Sequence, residues 1–148
     1  MKVEKIDHLH AYAKDVDAVA ELFSSLFGMK CKVFSFEQYG TRNCIATTPQ
    51  GFIEFIQPTD PEKDPAKLIG DRPEGLLCIS LKVPNMQEAI AEMEARGIKL
   101  LKLYELGPVK QAWFDPKNTF GIQIELGEYP GDNIHKAGAG QLPPAGTK

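Results

Sequence analysis

The alternation of apolar and polar residues predicts a regular order of strands and helices in the first half of the chain. Residues 5–13 alternate with a period of two, which is typical of a half-buried strand. Asp15 then offers a helix N-cap, apolar residues recur at helical spacing, and Gly28 ends the helix. The order is β-α-β-β-β, with strands at 5–13, 30–37, 42–48 and 51–57 and a helix at 16–27.

The same order returns after a proline-rich connector. Residues 58–74 carry four prolines and several charges, which indicates a connector with one helical turn at 65–69. Asn85 is the N-cap candidate of the second helix, and Gly97 ends it. The spacing of apolar residues in this half predicts a strand at 76–83, a helix at 86–95 and strands at 98–105, 111–114 and 121–126.

The two halves keep nearly one register. Equivalent landmarks lie 69 to 72 residues apart, which indicates a duplicated module. The landmarks are Gly28 and Gly97, His8 and Cys78, Glu54 and Glu125, and Pro58 and Pro130. We predict a first βαβββ module at residues 1–58, a connector at 59–74, a second βαβββ module at 75–130 and a flexible tail at 131–148.

Composition excludes several classes of protein. The chain of 148 residues is 43% hydrophobic and has a formal charge of -3, which suits a globular domain and gives no basic surplus for nucleic acid. Apolar runs are too short to span a membrane, and the charged N-terminus has no apolar signal region, so we expect a cytoplasmic protein. Cysteines 31, 44 and 78 are odd in number and lack CxxC spacing, which argues against a disulfide framework or a structural zinc site.

Two glutamates interrupt apolar strands at equivalent places in the repeat. Glu54 lies between Ile53 and Phe55, and Glu125 lies at offset 71 from it. A carboxylate is costly to bury unless it is paired, coordinated or protonated. A surface-facing glutamate is the competing interpretation for each, and the alternation of side chains along the strand decides between the two.

Two histidines and a cysteine add candidate chemistry. His8 and His10 are two positions apart on the first strand, so their side chains share a face. His10 could bind a metal, donate a hydrogen bond to a substrate oxygen, act as a general acid or simply be a core histidine. Cys78 holds the place in the repeat that His8 holds in the first half. Its thiol could exchange protons, bind a metal, act as a nucleophile or pack as a small hydrophobe.

The order and spacing of several segments resemble the vicinal oxygen chelate superfamily. These segments are IDHLHAYAKD, FIEFIQP, DPKNTFG and GIQIELGEYP, and the similarity extends over roughly residues 4–130. Within that superfamily the sequence is most similar to the methylmalonyl-CoA epimerases. The resemblance implies an α+β fold in which tandem βαβββ modules form a curled mixed sheet around a central cup.

The resemblance also implies a divalent metal held by four side chains at the floor of the cup. The ligand positions fall on His8, Glu54 and Glu125, and on Cys78 where the family has a histidine. Imidazole and carboxylate suit zinc, cobalt, manganese or nickel, whereas a thiolate favours softer metals such as zinc. Two interpretations stay open: a metal held through His8, Glu54 and Glu125 with an occasional thiol ligand, or a protein that has abandoned the metal.

The acid/base groups differ from those of the epimerases as well. In the epimerases that this sequence resembles, two glutamates remove and return a proton beside a carbonyl. One position matches Glu125, but the other falls on Asn43, which cannot take a proton. The partner of Glu125 is then Cys78, His10 or Lys110. The candidate acid/base residues are Glu125, Cys78 and His10, and the candidate substrate contacts are Asn43, Lys110 and Trp113.

We therefore expect an isomerase that racemises or epimerises an acidic carbon next to a carbonyl. The substrate would be a small molecule, either an acyl-CoA resembling methylmalonyl-CoA or an aromatic ketone, and the resemblance implies a homodimer. One alternative is a metal-free protein that binds a small ligand, as in the bleomycin-resistance branch. Another is a different enzyme of the superfamily, such as a glyoxalase-type lyase or an extradiol dioxygenase.

Overall fold

The computed structural model describes residues 1–138 and shows an α+β protein with two copies of the order βαβββ. The four helices are α1 (Val16–Ser25), α2 (Asp64–Ile69), α3 (Met86–Ala95) and α4 (Ile134–Ala137). The strands are β1 (Lys5–Tyr12), β2 (Lys30–Phe36), β3 (Thr41–Thr48), β4 (Gly51–Pro58), β5 (Gly75–Lys82), β6 (Leu100–Leu106), β7 (Val109–Phe114) and β8 (Gln123–Glu128). The α+β class and the tandem modules that the sequence predicts are thus confirmed.

The described residues divide into two compact units. Residues 8–77 form one, called here the N-terminal unit, and residues 1–7 together with 78–138 form the C-terminal unit. The division falls inside β1, between Asp7 and His8. The module boundaries expected from the sequence stay a prediction.

The N-terminal unit is a mixed sheet covered on one face by α1. Its strand order is β2-β3-β4-β1, with β1 parallel to β4 and the other pairs antiparallel. Helix α1 begins at Asp15, whose side chain accepts hydrogen bonds from the amides of Asp17 and Ala18. The core under the helix is formed by Ala11, Ala13, Val16, Cys44, Ala46 and Phe55. Small residues on the strands let the helix approach the sheet.

The C-terminal unit repeats this plan. Its strand order is β5-β8-β7-β6, with β5 parallel to β8 and the other pairs antiparallel. Helix α3 begins at Asn85, whose side chain accepts a hydrogen bond from the amide of Glu88. The core on the helix side is formed by Val83, Met86, Ala89, Met93, Ala112, Phe114 and Leu126.

The predicted elements are all present, with shifts at their ends. The last strand begins at Gln123 rather than at 121, because a short turn at Pro116–Asn118 and positive φ angles at Phe120 and Gly121 keep the preceding chain out of the sheet. Helix α4 falls inside the predicted tail, and residues 139–148 of that tail lie outside the described residues. None of the helices in residues 1–138 has the length and apolar character that a membrane crossing requires.

A buried polar contact ties the segment after β8 to the start of β1 within the C-terminal unit. The Tyr129 hydroxyl donates a hydrogen bond to the Asp7 carboxylate, and both side chains are buried. Burial and this hydrogen bond raise the pKa of Tyr129 far above its ordinary value, so the phenol keeps its proton. Lys5 lies 3.2 Å from Asp7, and the amine of Lys82 lies 4.7 Å from the centre of the Tyr129 ring.

We expect Tyr129→Phe to lower the free energy of unfolding by about 1.5–3 kcal/mol, because Asp7 loses a donor in a buried place. Urea denaturation followed by circular dichroism measures the change. Tyr12→Phe, which removes the hydroxyl of a half-buried tyrosine on β1, is the matched control. Equal stability of Tyr129→Phe and wild type would contradict this role of the contact.

Candidate functional site

Each unit places one buried glutamate on the face of its sheet that points away from the helix. Phe55 packs in the core beneath α1, so its neighbour Glu54 faces the other way. Leu126 packs in the core beneath α3, and its neighbour Glu125 likewise faces away. The exposed fractions are 7% for Glu54 and 0% for Glu125. The alternation therefore contradicts a surface-facing interpretation of either glutamate.

In the N-terminal unit, Glu54 lies beside both candidate histidines. His10 is its register partner across the parallel β1–β4 pair. Glu54 Oε2 lies 3.9 Å from Nε2 of His8 and 3.9 Å from Nδ1 of His10. The two Nε2 atoms are 2.7 Å apart, so one imidazole donates to the other. The shared face predicted for His8 and His10 thus brings both imidazoles to one carboxylate.

Neighbouring side chains fix the orientation of this cluster. The His8 ring stacks on Phe52, with 4.5 Å between ring centres and an interplanar angle of 12°. Asn43 Nδ2 donates a 2.8 Å hydrogen bond to Glu54 Oε1. Because a carboxylate only accepts hydrogen bonds, this contact fixes which way the amide of Asn43 points. Asn43 therefore orients Glu54.

In the C-terminal unit, Glu125 accepts hydrogen bonds from three side chains. Ser80 Oγ and Gln111 Nε2 donate to Oε1 at 2.7 and 3.2 Å, and Trp113 Nε1 donates to Oε2 at 2.5 Å. Two of these three donors are N–H groups that cannot accept, and a protonated carboxyl would have fewer acceptor sites to offer them. The arrangement therefore suits an ionised carboxylate held in one orientation.

Cys78 lies on the same face of the same unit. It is two residues before Ser80 on β5, so the two side chains share a face, and Ser80 is bonded to Glu125. Across the parallel β5–β8 pair, Cys78 is in register with Gln123 and Ser80 with Glu125. Cys78 and Glu125 are thus diagonal neighbours on adjacent strands, and both are buried.

Lys110 is not brought to this cluster. It lies three residues before Trp113 on β7, and odd spacing on a strand places two side chains on opposite faces. Its amine lies 3.1 Å from Glu128, which also accepts from the amide of Met86 at the start of α3. Burial opposes the effect, but the bonds from Met86 and Lys110 lower the pKa of Glu128. Trp113 donates a hydrogen bond to Glu125, and its predicted contact with substrate stays a prediction.

Sequence reasoning missed Ser80 and Gln111, the other two donors to Glu125. A signal for both was present in the strand pattern. Ser80 interrupts an apolar strand two residues after Cys78, and Gln111 lies two residues before Trp113. Once Glu125 is assumed to face away from the helix, alternation places these polar residues beside it.

The remaining two thiols lie together on the helix side of the N-terminal sheet. Cys44 is fully buried beneath α1, and Cys31 packs against the same core. Burial, with a further contribution from Cys31, raises the pKa of Cys44 to about 12. A thiol with this environment reacts slowly, because the thiolate is the reactive form.

We expect Cys44 to resist iodoacetamide in the folded protein at about pH 8.5 and to react after unfolding, because burial keeps it protonated. Mass spectrometry of the alkylated peptides measures this. Because folding raises the pKa of Cys44 from 9.0 to about 12, the contribution of this thiol to the free energy of unfolding is constant below about pH 9 and falls as the pH rises towards about 12. Equal labelling of Cys44 in folded and unfolded protein would contradict the assignment.

The donor chemistry of the N-terminal unit fits a divalent transition metal. Two imidazoles and one carboxylate are the ligand types that zinc, cobalt, manganese and nickel accept. The two Nε2 atoms lie 2.7 Å apart, and Glu54 Oε2 lies 3.9 Å from Nε2 of His8 and 3.9 Å from the other ring nitrogen of His10, Nδ1. The donor types of His8, His10 and Glu54 therefore suit such an ion, although these distances involve both ring nitrogens of His10 and do not define one set of three ligand atoms.

Comparison with known proteins gives one family match and several similar folds. A hypothetical protein from Bacillus halodurans C-125 is 21% identical, with a TM-score of 0.74 over 86% of this chain and 95% of the other. A methylmalonyl-CoA epimerase from Mycobacterium tuberculosis is 21% identical, with a TM-score of 0.71 over 85% of this chain and 88% of the other. A methylmalonyl-CoA epimerase variant from Streptomyces coelicolor, in complex with 2-nitronate-propionyl-CoA, is 20% identical, with a TM-score of 0.71 over 88% and 100%.

The structural similarities show the fold, whereas a match to the sequence profile of a family shows the family. The comparison with curated protein sequences finds no match. The profile that matches is that of the glyoxalase/bleomycin resistance protein/dioxygenase superfamily, over residues 7–112. This range contains all of the first βαβββ copy except the first two residues of β1, and most of the second copy. The resemblance to this superfamily that the sequence motifs carry is confirmed, and the chain belongs to the glyoxalase/bleomycin resistance protein/dioxygenase superfamily.

Proposed function

We propose that the protein is a racemase or epimerase that exchanges a proton at an acidic carbon next to a carbonyl. The observation that carries the proposal is the Glu125 carboxylate, buried and held by Ser80, Gln111 and Trp113 on the face that it shares with Cys78. The three donors offset the cost of burying this carboxylate and hold it in one orientation. A carboxylate held in one orientation is suited to accept a proton from one position of a bound substrate and to return it there.

Inversion at a carbon requires one group to remove the proton and a second group to return a proton to the other side. In the proposed reaction the Glu125 carboxylate takes the α-proton, and the C–H electron pair moves into the enolate. The Cys78 thiol then gives its proton to the opposite side of that carbon, which leaves a thiolate. Exchange with water restores the thiol and the carboxylate, and the opposite enantiomer reacts in the reverse direction.

The enolate oxygen needs a positive partner while the negative charge develops. The superfamily resemblance implies that a divalent metal supplies this positive partner. When bound, such a metal would polarise the substrate carbonyl as a Lewis acid. The resemblance places Glu125 among the expected metal ligands, whereas the proposed reaction assigns Glu125 the acid/base role.

The substrate class that we propose is an acyl-CoA with an acidic α-carbon, similar to methylmalonyl-CoA, or an aromatic ketone. Methylmalonyl-CoA epimerases of similar fold support the first class. Asn43 stands where the resemblance expects an acid/base glutamate, and Cys78 stands where it expects a histidine. These two changes favour a substrate other than methylmalonyl-CoA itself within the same chemistry.

Incubation in deuterium oxide tests the proposed function. The protein is incubated with methylmalonyl-CoA, another α-branched acyl-CoA and an α-substituted aryl ketone, and mass spectrometry measures deuterium at the α-carbon. We expect exchange in one of the two classes at a rate well above that of the buffer. No exchange in any of them, with unchanged ligand recovered from a stable complex, would overturn the proposal in favour of a small-ligand-binding protein.

A homodimer and a cytoplasmic location remain predictions from the resemblance and the sequence. Sedimentation equilibrium tests the first of them directly. A mass twice that of the chain of 16.4 kDa is expected, and a mass equal to that of one chain would contradict it.

A further inference from the structure

We propose that Lys102 on β6 binds a carboxylate of the substrate, within a few bonds of the carbon whose proton Glu125 exchanges. The proposal rests on the proposed function, because it takes the substrate to lie on the face of the C-terminal sheet that carries Glu125. It adds a specificity residue to that site and narrows the substrate class to small molecules with an anionic group near the acidic carbon. Lys102 and Glu125 both belong to the C-terminal unit.

A β-bulge in β6 decides which face of the sheet Lys102 occupies. Leu100 is paired with Phe114, and both pack on the helix side of this unit. Simple alternation would place Lys102 on that side as well. The register shifts between Leu100 and Lys102, however, and Lys102 is paired with Trp113. Because directly paired residues of antiparallel strands point to the same face, the bulge turns Lys102 to the side away from α3.

Lys102, Trp113 and Glu125 form one row across three neighbouring strands. Trp113 is the register partner of Lys102 on β6 and of Glu125 on β8. Neighbouring strands are about 4.8 Å apart, so about 10 Å separates the backbone positions of Lys102 and Glu125. The lysine side chain is long and flexible, so its ammonium group is able to reach a group bound beside Trp113. The row thus combines a cation, a flat aromatic ring and the proposed acid/base carboxylate.

Tyr104 supports this position of Lys102. It is the next residue on the same face of β6, and its register partner is Gln111, one of the three donors to Glu125. The amine of Lys102 lies 5.8 Å from the centre of the Tyr104 ring, within the range of a cation–π contact. Both side chains are half-buried, so the ammonium group is partly shielded from water. An ion pair with a ligand is stronger at such a place than on an exposed surface.

The charge of Glu125 explains why this face needs a lysine. The three hydrogen bonds to Glu125 suit an ionised carboxylate, which repels a second carboxylate close to it. A substrate with a carboxylate near its acidic carbon therefore needs a cation on this face. Lys110, the lysine that the sequence suggested as a substrate contact, lies on the opposite face of the sheet. Lys102 places a positive charge on the required one.

The position of Lys102 also separates two sources of negative charge. In a coenzyme A ester the phosphates are at the far end of the pantetheine arm, remote from the acidic carbon. Lys102 is two strands from Glu125, which is close enough for an anionic group that is a few bonds from that carbon. The geometry therefore favours a carboxylate of the substrate over a phosphate of the coenzyme.

Ligand pairs that differ in one carboxylate test the proposal by binding alone. The pairs are methylmalonyl-CoA with isobutyryl-CoA, and phenylpyruvate with its methyl ester, and isothermal titration calorimetry measures each dissociation constant. In at least one pair we expect wild type to bind the carboxylate form more tightly. Lys102→Met should weaken binding of that form by about 10–100-fold and leave the neutral form unchanged. Lys102→Arg should keep the preference, because it keeps the charge.

Two further variants complete the design. Lys102→Gln should lose the preference as Lys102→Met does, and it retains a polar side chain in case Lys102→Met fails to fold. Lys99→Met is the matched control, because it removes the same charge from an exposed position just before β6. It should bind all four ligands as wild type does.

Three results would overturn the proposal: no preference of wild type for a carboxylate form in either pair, an unchanged preference in Lys102→Met and Lys102→Gln, or equal weakening of methylmalonyl-CoA and isobutyryl-CoA. The last result would assign Lys102 to the phosphates that both esters share. Deuterium exchange, measured separately on the same ligands, tests the proposed function. A preference that depends on Lys102 without exchange by wild type would contradict the proposed function alone, whereas exchange with an unchanged preference would contradict the role of Lys102 alone.

Discussion

Glu125→Gln is expected to lower the rate of α-proton exchange by about 10²–10⁴-fold, the usual contribution of a positioned acid or base. The amide keeps the size of the carboxylate but cannot take a proton at the working pH. It also places an NH₂ group among the donors of Ser80, Gln111 and Trp113, so part of that network is lost. Deuterium incorporation, measured by mass spectrometry, should fall for the enantiomer that presents its proton to Glu125, and inversion of both enantiomers should be lost, whereas exchange of the enantiomer that presents its proton to Cys78 should persist.

A second glutamate on the same strand provides the control. Glu128 lies three residues from Glu125, on the opposite face, where it bonds Lys110 and the amide of Met86. Glu128→Gln should therefore leave exchange unchanged. Thermal unfolding of both variants shows whether a lower rate reflects chemistry or loss of fold. Exchange by folded Glu125→Gln at the wild-type rate would exclude Glu125 as the acid/base group.

Cys78→Ser is expected to have the second-largest effect, and the effect should depend on the enantiomer. A two-group mechanism that loses one group can no longer invert the carbon, but the remaining group still removes and returns a proton on its own side. Solvent exchange should therefore persist for the enantiomer that presents its proton to Glu125. For the other enantiomer it should fall by about 10²–10⁴-fold.

Cys31→Ser is the matched control for this variant, because Cys31 is a thiol on the helix side of the other unit. It should exchange both enantiomers as wild type does. Equal loss for both enantiomers in Cys78→Ser would show that Cys78 supports the site rather than moving a proton. An unchanged rate for both would assign the second acid/base role to another residue.

Much of the fold could be predicted from the sequence because the relevant forces are local. Asp15 and Asn85 precede the two helices, and in the structure both side chains accept hydrogen bonds from helix amides. The alternation around Glu54 and Glu125 depends only on the period of a strand. Because equivalent landmarks of the two halves are separated by nearly the same number of residues, the elements predicted in one half supported those predicted in the other.

The hydrogen bonds within the site could not be predicted in the same way. The donors to Glu125 come from two other strands, and their meeting depends on register, which short sequence patterns do not specify. The pairing of Asn43 with Glu54 likewise joins β3 to β4 through their side chains. Lys110 is different, because its odd spacing from Trp113 on one strand already placed the two residues on opposite faces.

The stereochemical course of a single turnover tests the proposed two-group mechanism most directly. One enantiomer of an active acyl-CoA or aryl ketone is incubated with the wild-type protein in deuterium oxide. At early times the two enantiomers are separated, and mass spectrometry measures the deuterium content of each. The mechanism predicts that the inverted enantiomer carries one solvent deuterium while the remaining starting enantiomer is still largely protonated. Inversion without solvent deuterium, or no inversion of any substrate that the protein binds, would contradict it.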